Sequence, residues 1–153
     1  MNKYIGKQTY SDLKFSDSKV VGYMSGTFDL FHIGHLNILK RAAAKCDELI
    51  VGVHESGAWK GKETFIPFEE RKAIVGSIRY VSKAVKSFSE DIHAHEEFSI
   101  NKLFVGDDYK NSDRFFDYEI YCKQHNIEIY YFPYTKSTSS SQLRAGLQAL
   151  MPS

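Results

Sequence analysis

The chain switches repeatedly between two hydrophobic periods. A continuous apolar stretch at 20–24 reads as a strand buried on both faces. Ile33, Leu36, Leu39, Ala42 and Ala43 then recur at helical spacing and predict a helix over 33–45. A run rich in β-branched residues covers 49–53. Helical spacing returns over 68–78, with Glu69 and Glu70 in the first turn, where carboxylates suit the helix dipole. The alternation continues with a strand at 84–88, a helix at 92–98, a strand at 103–105, a helix at 113–124 and a strand at 127–132. A last helix runs from near Ser139 to Leu150. Residues 1–18 are polar, with scattered aromatics at Tyr4, Tyr10 and Phe15. They read as an N-terminal extension, and 19–153 as one domain without an internal repeat or linker.

Apolar strands separated by amphipathic helices predict an α/β, Rossmann-like fold: a five-stranded parallel sheet with helices on both faces. Its crossovers are expected to be right-handed. Ligands of such sheets lie at the carboxyl ends of the strands, near the point where the strand order reverses. Every distinctive segment falls after a strand: Gly26-Thr27-Phe28-Asp29, residues 54–62, Gly106-Asp107-Asp108 and residues 135–141. One shared site is therefore expected.

Composition narrows the class. With 153 residues and 42% hydrophobic side chains, one real core can be buried. Twenty basic against 19 acidic residues leave a net charge of +1. That argues against a nucleic-acid coat or a polybasic membrane binder, though not against a local basic pocket. Cys46 and Cys122 have no CxxC spacing and offer no disulfide framework. No apolar run reaches the roughly 18 residues of a membrane span, and the first residues lack a signal peptide's apolar core. A cytoplasmic protein is the expectation.

Candidate chemistry begins at His32-Ile33-Gly34-His35. If a helix starts near Phe31 or His32, both imidazoles share a face of its first turn. A helix N-terminus offers N–H groups and positive potential to an anion, and Gly34 lets a bulky phosphate approach. Ordinary packing and a metal remain open at this point, but zinc needs three or more ligands and no HExxH occurs. His93 and His95 do not follow a strand and read as solvated helix residues. Asp29 could hold a Mg²⁺, cap the helix or fix a neighbouring group. Lys60 and Lys62, in a glycine-bearing loop beside Trp59, read alone as a solvated pair, and Arg71 and Arg79 as surface arginines. The Ser/Thr cluster at 137–141 could cap the last helix or hold phosphates.

Together these pieces resemble a known family. Residues 26–35, GTFDLFHIGH, look like the HxGH signature of the nucleotidyltransferase superfamily, cytidylyltransferase branch. Residues 50–81, IVGVHESGAWKGKETFIPFEERKAIVGSIRYV, resemble the segment that follows that signature. FVGDDY at 104–109 and PYTKSTSSS at 133–141 resemble two later motifs. The resemblance covers about 20–147 and is nearest to the glycerol-3-phosphate enzymes. It implies transfer of CMP from CTP to a small phosphorylated alcohol, with Mg²⁺ as cofactor, pyrophosphate as leaving group and often a homodimer. On this reading His32 and His35 embrace the α-phosphate, and Lys60, Lys62, Arg71 and Arg79 neutralise phosphates. Gly26, Thr27, Phe28, Asp29, Gly34, Gly106, Asp107, Asp108, Thr135, Ser139 and Ser140 surround the nucleotide. Trp59, Lys60 and Tyr109 meet the acceptor.

Three positions depart from the family pattern: Tyr134 stands for an arginine, Ser137 for a glycine and Ser82 for an aspartate. The competing readings are CTP-dependent transfer to phosphocholine, phosphoethanolamine or a phosphorylated amide or amino compound, an adenylyltransferase, and a non-catalytic nucleotide-binding module. The letters HIGH also occur in class I aminoacyl-tRNA synthetases, whose further parts do not fit in 153 residues.

Overall fold

The structure, a computed structural model, describes residues 19–56, 63–106, 112–133 and 139–152. Strands β1 (Val21–Gly26), β2 (Glu48–Val53), β3 (Lys83–Lys86), β4 (Lys102–Gly106) and β5 (Glu128–Phe132) form one sheet. Their order is β3-β2-β1-β4-β5, and every neighbouring pair is parallel. Between and after them lie α1 (Ile33–Ala43), α2 (Phe68–Gly76), α3 (Ala94–Phe98), α4 (Asp113–Gln124) and α5 (Ser140–Leu150). This is the expected α/β, Rossmann-like architecture.

Alternation along each strand divides the core into two layers. Tyr23, Ile50, Leu103 and Val105 face Ala94, Phe115, Tyr118 and Cys122. Met24, Leu49, Val51, Val53, Phe104 and Phe132 face Leu39, Ala42 and Val75 on the other side. Because both faces are covered, the strands read as unbroken apolar runs in the sequence. The chain steps outward from β1 to β2 to β3, then returns across β1 to β4 and steps the other way to β5. Right-handed crossovers in opposite directions require helices on opposite faces. Accordingly α1 and α2 serve one layer, and α3 and α4 the other. The order reverses between β1 and β4, which fixes where a ligand-binding cleft opens.

The differences from the sequence reading lie at element ends. The predicted 84–88 strand is the edge strand Lys83–Lys86, half exposed, and Phe88 packs into the core beyond its last ladder pair. The predicted 92–98 helix splits into a 3₁₀ turn, Asp91–His93, followed by α3, which Ser99 ends in a left-handed conformation at φ 53. His95 is not solvated. Its Nδ1 is buried without a hydrogen-bond partner, and its ring meets Tyr121 and His125 edge-on. The 1–18 extension lies outside the described residues.

Candidate active site

β1 delivers the chain to the carboxyl end of the sheet at Gly26, where it turns sharply. Phe28 and Leu30 both adopt left-handed backbone, at φ 53 and φ 52. Bulky residues rarely accept that region, and such strain persists where surroundings over-determine it. The surroundings here are burial and charge. Phe28 is 4% exposed and sets its ring edge against His35, with centroids 5.3 Å apart. Asp29 is 2% exposed.

Asp29 anchors the turn. Its two carboxylate oxygens accept the Phe65 and Ile66 backbone N–H groups at 2.9 and 3.0 Å, and the Arg144 guanidinium of α5 is ion-paired to Oδ2. Of its three sequence readings, fixing a neighbour is the one observed. A Mg²⁺ at Asp29 does not fit, because a guanidinium and two backbone donors already occupy its oxygens. Among the described residues no group of three or more His, Cys, Asp or Glu is arranged to hold a metal.

Arg71 requires a correction. It was expected on phosphate, yet it is 1% exposed and donates to four carbonyl oxygens. Nε reaches Ile66 at 2.8 Å, Nη1 reaches Thr27 and His54 at 2.7 Å each, and Nη2 reaches Glu55 at 2.9 Å. Arg71 therefore clamps the ends of β1 and β2 to the segment before α2. Burial lowers its pKa while nearby Asp29 acts in the opposite sense.

The two histidines form a reciprocal cap on α1. His32, the N-cap residue, accepts the Gly34 N–H on Nδ1 at 3.0 Å, and its own N–H donates to Nδ1 of His35 at 3.2 Å. This is a capping box with imidazoles in place of hydroxyl and carboxylate. The rings stack with centroids 3.9 Å apart. A ring nitrogen that accepts an N–H carries no proton, so in each neutral imidazole the proton sits on Nε2. Burial lowers both pKa values. His35 is driven down to about 3 by burial first and by His32 second, with Asp29 opposing. At neutral pH the pair presents two uncharged Nε2–H donors. The Gly34 N–H is taken by His32.

Beside this turn lies a cavity of about 570 Å³ at the carboxyl ends of β1, β2, β3 and β4. Gly26 and Thr27 belong both to its wall and to the turn that leads to His32, and Gly106 closes it from β4. Ser25, His54, Ser87, Glu90, Asp91 and Tyr118 supply its polar lining. His54 Nδ1 and Ser87 Oγ are 2.8 Å apart, and Ser25 Oγ donates to Asp91 Oδ1 at 2.7 Å. Sequence reasoning missed Ser25, Ser87, Glu90, Asp91 and Arg144. The available signal was position after a strand, which Ser87, Glu90 and Asp91 share with the motifs that were found.

One other expected site residue, Arg79, falls elsewhere. Arg79 is exposed in the turn between α2 and β3, at the amino end of the sheet and opposite the histidines, so it does not join them within one chain. Ser139 caps α5, accepting the Gln142 N–H at 3.1 Å, and Ser140 is the first residue of that helix. Trp59, Lys60, Lys62, Asp107, Asp108, Tyr109 and Thr135 lie outside the described residues, as do Tyr134 and Ser137.

The sheet order, the switch-point cavity and the imidazole cap define an α/β domain built to receive a ligand at the carboxyl ends of β1 and β4. Residues 23–146 match the family described as Cytidylyltransferase-like, and the chain belongs to that family of nucleotidyltransferases. A glycerol-3-phosphate cytidylyltransferase of Bacillus spizizenii is 34% identical over 137 residues, covering 86% of this chain and 98% of its own. An ethanolamine-phosphate cytidylyltransferase of Dictyostelium discoideum is 41% identical over 92 residues, covering 56% of this chain and 26% of its own. The crystal structure of a lipopolysaccharide core biosynthesis protein from Thermoplasma volcanium shares the fold. Its TM-score is 0.66 at 21% identity, over 78% of this chain and 99% of that one. No helix among the described residues is long and apolar enough to cross a membrane.

Proposed function

We propose that this chain transfers CMP from CTP to the phosphate of a small phosphorylated alcohol, releasing pyrophosphate and forming a CDP-linked product. The observation that carries the reading is the imidazole cap: two neutral rings at one helix end, each with its proton on Nε2, next to a cavity. An acceptor phosphate oxygen attacks the α-phosphorus of CTP, and the bond from that phosphorus to the pyrophosphate oxygen breaks. A phosphate monoester is already anionic near neutral pH, so the attack needs no strong general base. Catalysis then consists of positioning and charge stabilisation. His32 and His35 donate to the equatorial oxygens as charge builds.

The remaining roles rest on the family resemblance. Lys60 and Lys62 neutralise phosphates, while Asp107, Asp108 and Thr135 hold the nucleotide and its tail. Trp59 and Tyr109 face the acceptor. Mg²⁺ rides on the triphosphate and not on Asp29. A cytoplasmic homodimer supplying a cell-surface polysaccharide precursor, with no nucleic-acid partner, belongs to the same reading. Glycerol-3-phosphate is the first acceptor to try, since several relatives are named for it.

The test is pyrophosphate release with each nucleoside triphosphate in turn against a panel of phosphate monoesters. Turnover with CTP supports the reading. Turnover with ATP alone overturns the nucleotide assignment, and tight CTP binding without any turnover overturns the enzymatic one.

A further inference from the structure

The last helix, α5, belongs to neither layer of the core. Among the described residues, no side chain of α5 joins either buried cluster or the apolar groups packed against them. Leu143, Leu147 and Leu150 are exposed at 36%, 39% and 84%. Of residues 141–151, Arg144 is the one that is not exposed, and its side chain keeps 15% of its surface. Its guanidinium donates to Asp29 Oδ2 in the histidine turn and to the Glu63 carbonyl, and it lies 4.9 Å from the Phe65 ring centroid. A helix of 11 residues is marginal by itself in water, and α5 buries little apolar surface that could hold it. An ion pair to a buried carboxylate, with a charged donor on a carbonyl, therefore does what packing does for the other helices.

Resting on the cytidylyl-transfer reading above, we infer that Arg144 is a positioning residue for CTP. Residues 133–141, with Thr135 on the nucleotide's tail in that reading, run between β5 and α5. The β5 ladder fixes the first end of this segment, and Arg144 fixes the second. By pairing with Asp29, three residues before His32, Arg144 sets that second end against the imidazole cap. Its bond to Glu63 brings the end of the Lys60 and Lys62 segment to the same point. With its guanidinium committed to Asp29 and Glu63, Arg144 acts through the segments it joins and not on the phosphates themselves.

The experiment measures pyrophosphate release with CTP and the best acceptor of the panel above, varying each in turn, for wild type, Arg144→Ala and Arg144→Lys. Arg144→Ala should raise the KM for CTP on the order of tenfold, lower kcat by less, and leave the KM for the acceptor within about twofold. Arg144→Lys keeps a charge for Asp29 but loses the fork that also reaches Glu63. It should show a smaller rise in the same KM, which decides the matter even if Arg144→Ala does not fold. Hydrogen exchange on the full chain gives a second readout. The α5 amides should exchange about tenfold faster or more in Arg144→Ala, while those of β1 and β4 keep their wild-type rates. If the folded variants keep the wild-type KM for CTP, or if both KM values and kcat worsen together, the inference is overturned while cytidylyl transfer stands. Unchanged α5 exchange in Arg144→Ala overturns it as well. Wild type silent with every nucleotide and acceptor overturns cytidylyl transfer, and the inference with it.

Discussion

Arg144 of α5 is ion-paired to Asp29 of the histidine turn, 115 residues away in sequence, with side chains 15% and 2% exposed. The same guanidinium donates to the Glu63 carbonyl and lies over the Phe65 ring, 4.9 Å from its centroid. One side chain thus joins the last helix, the turn before His32 and the end of the segment that contains Lys60 and Lys62.

Asp29 is the hub of that arrangement, and the two partners should not be equivalent on mutation. Asp29→Ala strands two backbone donors and leaves Arg144 without its carboxylate. A loss of about 3–5 kcal/mol is expected in urea unfolding. Arg144→Ala leaves Asp29 still holding Phe65 and Ile66, with Arg71 nearby, and should cost about 1–3 kcal/mol. The double variant should cost less than the sum. Equal single costs that simply add would mean that Asp29 is not the hub.

Much of the fold was legible because strands covered on both faces announce themselves as apolar runs, and helices of one amphipathic stripe as a 3.6-residue period. The histidine turn was legible because its residues are contiguous. Arg71 was misread for the opposite reason. Its acceptors Thr27, His54, Glu55 and Ile66 come from three separate segments, and nothing near Arg71 in sequence shows that it will be buried among carbonyls. Arg144 was invisible for the same cause, since Asp29 is 115 residues distant, and Asp91, though it follows a strand, takes its role from Ser25, 66 residues away. Chain-end details failed where packing decides them, as at β3, whose edge position lets Phe88 leave the ladder and fill the core.

His32 combines a structural and a catalytic duty, and one substitution should separate them. Its Nδ1 caps α1, and its Nε2–H is the donor used in the proposed reaction. Asparagine also caps helices well, so His32→Asn should stay within about 1 kcal/mol of wild type in unfolding. It should still lose on the order of 10²–10³ in kcat, as for an oxyanion donor. His35→Ala should lose a similar factor. Full pyrophosphate release by His32→Asn would remove that imidazole from the mechanism.

Gly52 exists in β2 to make room for Tyr23. A Cβ at that position would lie 2.0 Å from the Tyr23 hydroxyl and 2.9 Å from Cζ. Gly52→Ala should therefore lower the melting temperature sharply, with overpacking costing about 1–3 kcal/mol. Tyr23→Phe alone removes a buried hydroxyl that has no partner and should be neutral or slightly stabilising. Combined, Tyr23→Phe should recover part but not all of the Gly52→Ala loss, because Cζ stays close. Full additivity would place the strain elsewhere.

The depressed pKa of His35 makes stability depend on pH with a definite sign. Folded, the ring is pushed down to about 3, against an ordinary value of 6.5 in the unfolded chain, chiefly because burial disfavours the imidazolium. Between those values the unfolded chain holds a proton that the folded chain lacks. Stability contributed by the neutral ring is therefore fully present above about pH 6.5 and declines as pH falls toward about 3. The slope from this one group approaches ~1.4 kcal/mol per pH unit. Burial moves His32 in the same direction. Urea unfolding at pH 5, 6, 7 and 8 should show wild type weakening only at the acid end. His35→Gln, which keeps a side-chain acceptor but cannot take up this proton, should flatten the profile. An unchanged slope in His35→Gln would show that the acid sensitivity arises elsewhere and that the ring is not held neutral by its burial.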